Sequence, residues 1–241
     1  MQLAAGTRGR AGQTMNRQEW GKLKAVVFDF DGTLAELHLD FAEMKRQLRV
    51  LAQEYFQDLL QAPQTPALEW LETLTVSLHQ RDEAAAFELE ERAGSLIKEI
   101  ELEAAHRGSL FPFTRSILRE LRQAQIKVAI ITRNCEEAVR IVFPDLDQYC
   151  QGFLARDHVH LVKPDPDHLL RALEKIGALP ETALMVGDHP LDMQTGKRAG
   201  VLTAGVWSGN ASRDDLNRAG ANLTARNCQE LMVALEAGKL L

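Results

Sequence analysis

The chain has 241 residues, 45% of them hydrophobic and 26% charged, the balance of a globular protein long enough to bury a full core. Its 28 basic residues against 34 acidic ones give a net charge of −6, which argues against a nucleic-acid surface. No apolar run approaches the roughly 18 residues of a membrane span, and Cys135, Cys150 and Cys228 form neither metal pairs nor a disulfide framework, which favours a reducing, cytoplasmic setting.

Residues 1–20 mix Gly, Arg, Gln and Thr without a long apolar stretch and are expected to form a flexible tail, with Met15 as an alternative start. Arg8, Arg10 and Arg17, with Glu19 the tail's only acid, would also suit a short transit peptide, the lesser reading. Val26, Val27, Phe28 and Phe30 then read as a core strand that Gly32-Thr33 ends in a turn, with Lys22 and Lys24 as exposed flanking charges. From Phe41 the spacing becomes helical through Met44, Leu48, Leu51, Tyr55 and Leu59, with Asp40 as N-cap and Glu43 completing a capping box. Pro63 and Pro66 break this helix from a second one carrying Trp70, Leu71, Leu74 and Leu78, and a third runs from Phe87 to Leu102. Residues 35–108 therefore form an all-helical insert, for which Gly108-Ser109 is the expected return hinge.

Strands and helices alternate afterwards. Helices are expected at 113–123, 136–143, 167–176, 191–199 and 229–236, and strands at 127–131, 153–154, 183–186, 201–207 and 221–223. This rhythm specifies an α/β fold: a three-layer, Rossmann-like, mostly parallel sheet formed by 21–34 and 109–241, with the helical insert leaving it after the first strand.

Asp29 and Asp31 interrupt an otherwise apolar strand end and, being two residues apart, leave it on the same side. An ionised carboxylate loses several kcal/mol on moving into a dry interior, and two of them repel unless a cation or a shared proton lies between. A divalent metal is the simplest answer. Thr132, Asp188 and Asp192 stand at the C-terminal ends of two further strands, where open α/β sheets bind their ligands. Lys163-Pro164 adds an ammonium able to meet phosphate oxygens, so the set fits phosphoryl transfer.

With these residues in place the chain resembles the haloacid dehalogenase superfamily, in particular its phosphatases with a helical cap, such as phosphoglycolate phosphatases. The resemblance spans roughly residues 24–208 and rests on four motifs in order: Asp29-Phe30-Asp31-Gly32-Thr33-Leu34, Ile130-Ile131-Thr132-Arg133-Asn134, Lys163-Pro164 followed by Asp165-Pro166-Asp167, and Val186-Gly187-Asp188 with Asp192, Gly196 and Ala199-Gly200. It implies that Asp29 is the nucleophile of an aspartyl-phosphate mechanism and that Asp31 is the general acid and base. It further implies Mg²⁺ on the carboxylates of Asp29 and Asp188 and the backbone carbonyl of Asp31, with Lys163 offsetting phosphate charge. Thr132 and the amides near Phe30 and Asn134 would hold phosphoryl oxygens, Asp192 would orient Lys163 or a metal-bound water, and Arg133 would meet either phosphate or solvent.

The implied activity is hydrolysis of a small phosphorylated molecule, a phosphoglycolate-like acid or a sugar phosphate, by a monomer or homodimer with no nucleic-acid or membrane partner. Glu36, His38, Asp40, Lys45 and Arg46 are candidates for the non-phosphate end of the substrate. A phosphohexomutase with the same core and a silent binding module are the alternatives. A dehalogenase is disfavoured by Asp31, and a phosphonatase would need a Schiff-base lysine in the cap, for which Lys45 alone is weak support. His158 and His160 read as surface residues; His189 could donate to substrate, crowd the metal or point outward, with a structural or supporting role the preferred reading.

Overall fold

The computed structural model describes residues 22–58, 61 and 64–241. The expected tail over 1–20, with Met15, and the helix-end residues Leu59 and Pro63 lie outside the described residues. Six parallel strands form the central sheet: β1 (Ala25–Phe28), β4 (Lys127–Ile131), β5 (Gly152–Leu154), β6 (Ala183–Gly187), β7 (Leu202–Val206) and β8 (Leu223–Ala225), in the order β5-β4-β1-β6-β7-β8. β1 is central, with Val27 opposite Ala129 on one side and Met185 on the other.

Alternation along the strands builds both faces. Val26, Phe28, Val128 and Ile130 point into one core with Ile117, Leu118 and Leu121 of α4 (Thr114–Gln123), Val139 of α5 (Glu136–Val142) and Leu231 of α9 (Cys228–Ala237). Ala25, Val27, Ala129 and Ile131 face the opposite core with Leu169, Leu173 and Ile176 of α6 (Pro166–Ile176). α7 (Pro190–Arg198) packs across β6 and β7.

Between β1 and β4 the chain forms α1 (Phe41–Ala52), α2 (Ala67–His79) and α3 (Glu83–Arg107), whose inner faces make a separate apolar cluster around Leu48, Trp70, Leu74, Leu89 and Ile97. These helices form a cap over the sheet. Asp40 caps α1 as expected, accepting from the Glu43 amide at 2.9 Å, but the Glu43 carboxylate turns to Arg46 and Gln47 instead of completing the capping box. α1 nevertheless stops at Ala52, short of Tyr55, because the Gln53 side chain donates to the Phe56 and Asp58 carbonyls and closes the helix end.

Three features depart from the expected elements. A two-residue antiparallel ribbon, β2 (Ala35–Glu36) with β3 (Ser109–Leu110), closes the base of the insert where a bare hinge was expected. A further helix, α8 (Arg213–Ala219), is started by a reciprocal Ser212–Asp215 cap and ended by Gly220 at φ +100°. The last strand lies at 223–225 instead of 221–223, because Asn222 is taken up by Thr203, whose amide donates to Asn222 Oδ1 at 2.9 Å. No helix among the described residues is long and apolar enough to cross a membrane.

Candidate active site

β4, β1 and β6 are neighbours in one parallel sheet, so the residues that follow them emerge side by side. Asp29 leaves β1 at 7% exposure, Thr132 leaves β4 at 1%, and Asp188 leaves β6 at 6%. After Asp29 the chain turns back so tightly that the amides of Thr33, Leu34 and Ala35 all donate to the Phe30 carbonyl. Gly32 holds φ +78° in that turn, and a Cβ there would lie 2.3 Å from Asp188 Oδ2.

Lys163 reaches this cluster from the loop before α6, 2% exposed, and donates to both Asp29 Oδ1 and Asp192 Oδ1, the latter at 2.6 Å. Burial works against its charge, but the Asp192 and Asp29 carboxylates outweigh it and hold the ammonium protonated. One ammonium is thus shared between two carboxylates, and burial still pushes Asp29 upward. Asp188 is pushed up further by burial and by its acidic neighbours; the Asn210 amide, donating to its Oδ2 at 3.3 Å, opposes this. Burial raises Asp31 to about 7, against the Leu37 amide that donates to its Oδ1 at 2.9 Å.

Ligand oxygens of Asp29, Asp188 and Asp192 all lie within 4.8 Å of one another. A hard divalent cation fits this donor set: five carboxylates line the cavity, and apart from Glu101, which is paired with Arg156, those of Asp29, Asp31, Asp188 and Asp192 share it with one buried ammonium, that of Lys163. Asp31 is not one of the three clustered carboxylates. Asp192 is already committed, its Oδ1 to Lys163 and its Oδ2 to the His189 amide at 3.0 Å. That leaves Asp29 and Asp188 as the carboxylates best placed to hold the ion.

Around the cluster lies a cavity of about 440 Å³, roofed by cap residues that include Met44, Lys45, Leu68 and Ile97. A few hundred Å³ suits a small metabolite. Thr132, Arg133 and Asn134 line it, and Asn134 Nδ2 is buried with no hydrogen-bond partner among the described residues, a donor aimed at nothing the protein supplies. Arg133 also pairs with Glu69 of α2, Nη2 to Oε2 at 2.7 Å, while still lining the cavity.

Of the five expected cap candidates only Lys45 lines the cavity. Arg46 pairs with Glu43 along the outer face of α1, Asp40 is spent on the helix cap, Glu36 belongs to the β2–β3 ribbon, and His38 is exposed. His158 and His160 are exposed, as expected. His189 lines the cavity but serves as the N-cap of α7, its Nδ1 accepting from the Leu191 amide at 3.2 Å, and burial lowers its pKa.

Two site residues escaped the sequence reading. Asn210, whose amide meets Asp188, sits in an irregular loop without periodic signal. Glu101, 3% exposed, stands in the apolar stripe Ala93, Ile97, Ala104 of α3; a carboxylate at a buried helical position was the signal available.

Comparison with known proteins agrees with this geometry. A family model described as haloacid dehalogenase-like hydrolase matches residues 23–200. Pyrophosphatase PpaX of Bacillus cereus is 40% identical over 94 residues, a match spanning 38% of this chain and only 44% of that protein. Phosphoglycolate phosphatase of Pseudomonas putida is 30% identical over 203 residues, covering 77% of this chain and 70% of the relative. The crystal structure of a hydrolase from Pseudomonas syringae superposes with a TM-score of 0.62 at 24% identity, over 89% of this chain and 98% of that one.

Proposed function

The chain belongs to the haloacid dehalogenase-like hydrolase family, and on that footing we propose that it is a Mg²⁺-dependent phosphomonoester hydrolase acting on a small phosphorylated metabolite through an aspartyl-phosphate. The observation that carries this reading is the buried Asp29–Lys163–Asp192 chain beside Asp188 and Asp31: an anionic nest with one fixed ammonium, open to a cavity of metabolite size.

In the proposed reaction Lys163 holds Asp29 Oδ1, and Oδ2, which accepts a long bond from the Thr33 hydroxyl at 3.5 Å, attacks phosphorus. The bond from phosphorus to the ester oxygen breaks as the bond to Asp29 forms. Asp31, whose carboxyl titrates near neutrality, gives its proton to the leaving oxygen. Thr132 Oγ1 and the unpaired Asn134 Nδ2 donate to the phosphoryl oxygens, where charge gathers in the transition state. In the second half Asp31 takes a proton from water, which attacks phosphorus and frees Asp29. Mg²⁺ on the carboxylates of Asp29 and Asp188 and the carbonyl of Asp31 would supply the remaining neutralisation of the phosphate dianion. The cap over the cavity keeps bulk water from the acyl phosphate.

We place the core at 21–34 and 109–241 and the cap at 35–108. The relatives' names point to phosphoglycolate and pyrophosphate, and both belong in the test together with sugar phosphates. Purified protein incubated with such a panel should release inorganic phosphate from at least one small substrate with Mg²⁺ and not with EDTA, and Asp29→Asn should release none. Isomerised sugar phosphate without free phosphate would point to a mutase, and no turnover of any compound would defeat the reading.

A further inference from the structure

The loop Thr132–Cys135 carries the phosphoryl-binding donors, yet much of its backbone is held by residues outside the four motifs. The Arg133 carbonyl accepts from Arg156 Nη1 at 2.9 Å, and the Asn134 carbonyl accepts from the Arg156 amide at 3.2 Å. The Cys135 amide donates to Glu101 Oε2 at 2.9 Å. Glu101 and Arg156 are themselves paired through both terminal guanidinium nitrogens, Nη2 to Oε2 at 3.0 Å. Glu101 belongs to α3 of the cap, while Arg156 follows β5 in the core. A second cap acid, Glu69, fixes the Arg133 side chain.

A buried ion pair is a poor source of net stability, since its desolvation cost rivals its attraction. An apolar residue at position 101 would continue the α3 stripe at lower cost, so a carboxylate there calls for another reason. Its geometry supplies one. The carboxylate satisfies the Cys135 amide, which α5 leaves without a backbone partner. Its partner arginine clamps the two preceding carbonyls.

We propose that Glu101 and Arg156 are positioning residues, which hold the Thr132–Asn134 loop in its reactive shape through the backbone of Arg133, Asn134 and Cys135 and make that shape depend on docking of the cap helix α3. The proposal rests on the phosphatase reading above. Arg156 does not line the cavity, and Glu101, which does, has both carboxylate oxygens taken by Arg156 and the Cys135 amide, so both act through the loop. Donors displaced by a fraction of an ångström serve the transition state worse than the ground state, so the loss falls on turnover.

The test combines steady-state kinetics on p-nitrophenyl phosphate with Mg²⁺, thermal midpoints, and amide deuterium exchange of peptides spanning 132–136. Glu101→Gln should lower kcat by about 10–100-fold, the scale of a small misplacement at a reacting centre, with KM within about threefold. Exchange across 132–136 should quicken more than in the rest of the sheet. Arg156→Lys, which keeps the charge, should recover part of the loss seen in Arg156→Gln. The double variant Glu101→Gln/Arg156→Gln should be no slower than the worse single one. If Glu101→Gln does not fold, the two Arg156 variants carry the comparison.

Wild-type kcat in a folded variant would overturn the proposal, as would a loss that only tracks the unfolded fraction. Exchange does not depend on turnover. A wild type that hydrolyses nothing defeats the phosphatase reading, whereas unchanged exchange at 132–136 defeats the positioning role.

Discussion

His168 sits fully buried on α6, its Nε2 donating to the Leu154 carbonyl at 3.1 Å and its Nδ1 without a partner among the described residues. Burial lowers its pKa to about 4, with Lys163 adding repulsion, because a proton on Nδ1 would find no acceptor. The unfolded chain therefore binds this proton first as pH falls below about 6.5, and stability drops. Between pH 7 and pH 5 the wild type should lose about 2 kcal/mol more than His168→Gln in urea denaturation; equal losses would contradict this account. The same scale separates what sequence could tell from what it could not. Asp29, Asp31 and Asp188 stood out because charge at apolar strand ends demands a reason; Lys163, in the loop before α6, stood out only beside them. Asn210 did not, because a backbone amide in an irregular loop leaves no periodic trace, and for Glu101 the helical spacing marked a buried acid without naming its partner.

Elements with a long apolar period were legible to within a residue or two, as in β4 at 127–131 and α6 at 166–176 with Gly177 at φ +60° closing it. The two-residue strands β2 and β3 were not, since they are defined by pairing with each other and carry too few residues for alternation to register. α8 was missed although Ser212 and Asp215 form its cap, because only Leu216 in it is buried and no apolar stripe announces it. Close packing between elements is legible only afterwards. Gly196 of α7 lies so near β7 that a Cβ would stand 2.4 Å from Thr203 Cγ2, and Thr203 is itself tied to Asn222 and Gly220. Gly196→Ala gains helix propensity but overpacks a contact that cannot yield, so it should destabilise by about 1–3 kcal/mol. Unchanged or raised stability in urea would show that α7 can shift away.

At the scale of the molecule, four chain segments and a cap converge on a region with an excess of negative charge. The arrangement stores repulsion that a cation relieves, and this gives a signed expectation. Mg²⁺ should raise the thermal midpoint of the wild type, by the equivalent of about 2.7 kcal/mol at a hundred times its dissociation constant. Asp188→Asn removes one of the crowded carboxylates, so without metal it should melt above the wild type and should respond little to Mg²⁺. A metal response preserved in Asp188→Asn would remove that residue from the site. The parallel sheet and the convergence of motifs were open to inference from sequence, since parallel α/β topology places strand ends together; the order of the strands was not. The docking of the cap was not, because helix periodicity says which face is buried and nothing about which partner it meets.

On the proposed mechanism Asp29 becomes phosphorylated in each turnover. Enzyme mixed with a hydrolysed phosphate ester and Mg²⁺, quenched in acid within the first turnovers and reduced with borohydride, should carry homoserine at position 29 by peptide mapping, and nowhere else. Samples without Mg²⁺ should be unmodified. Reduction product at Asp31 or Asp188, or none while phosphate is still released, would contradict the account.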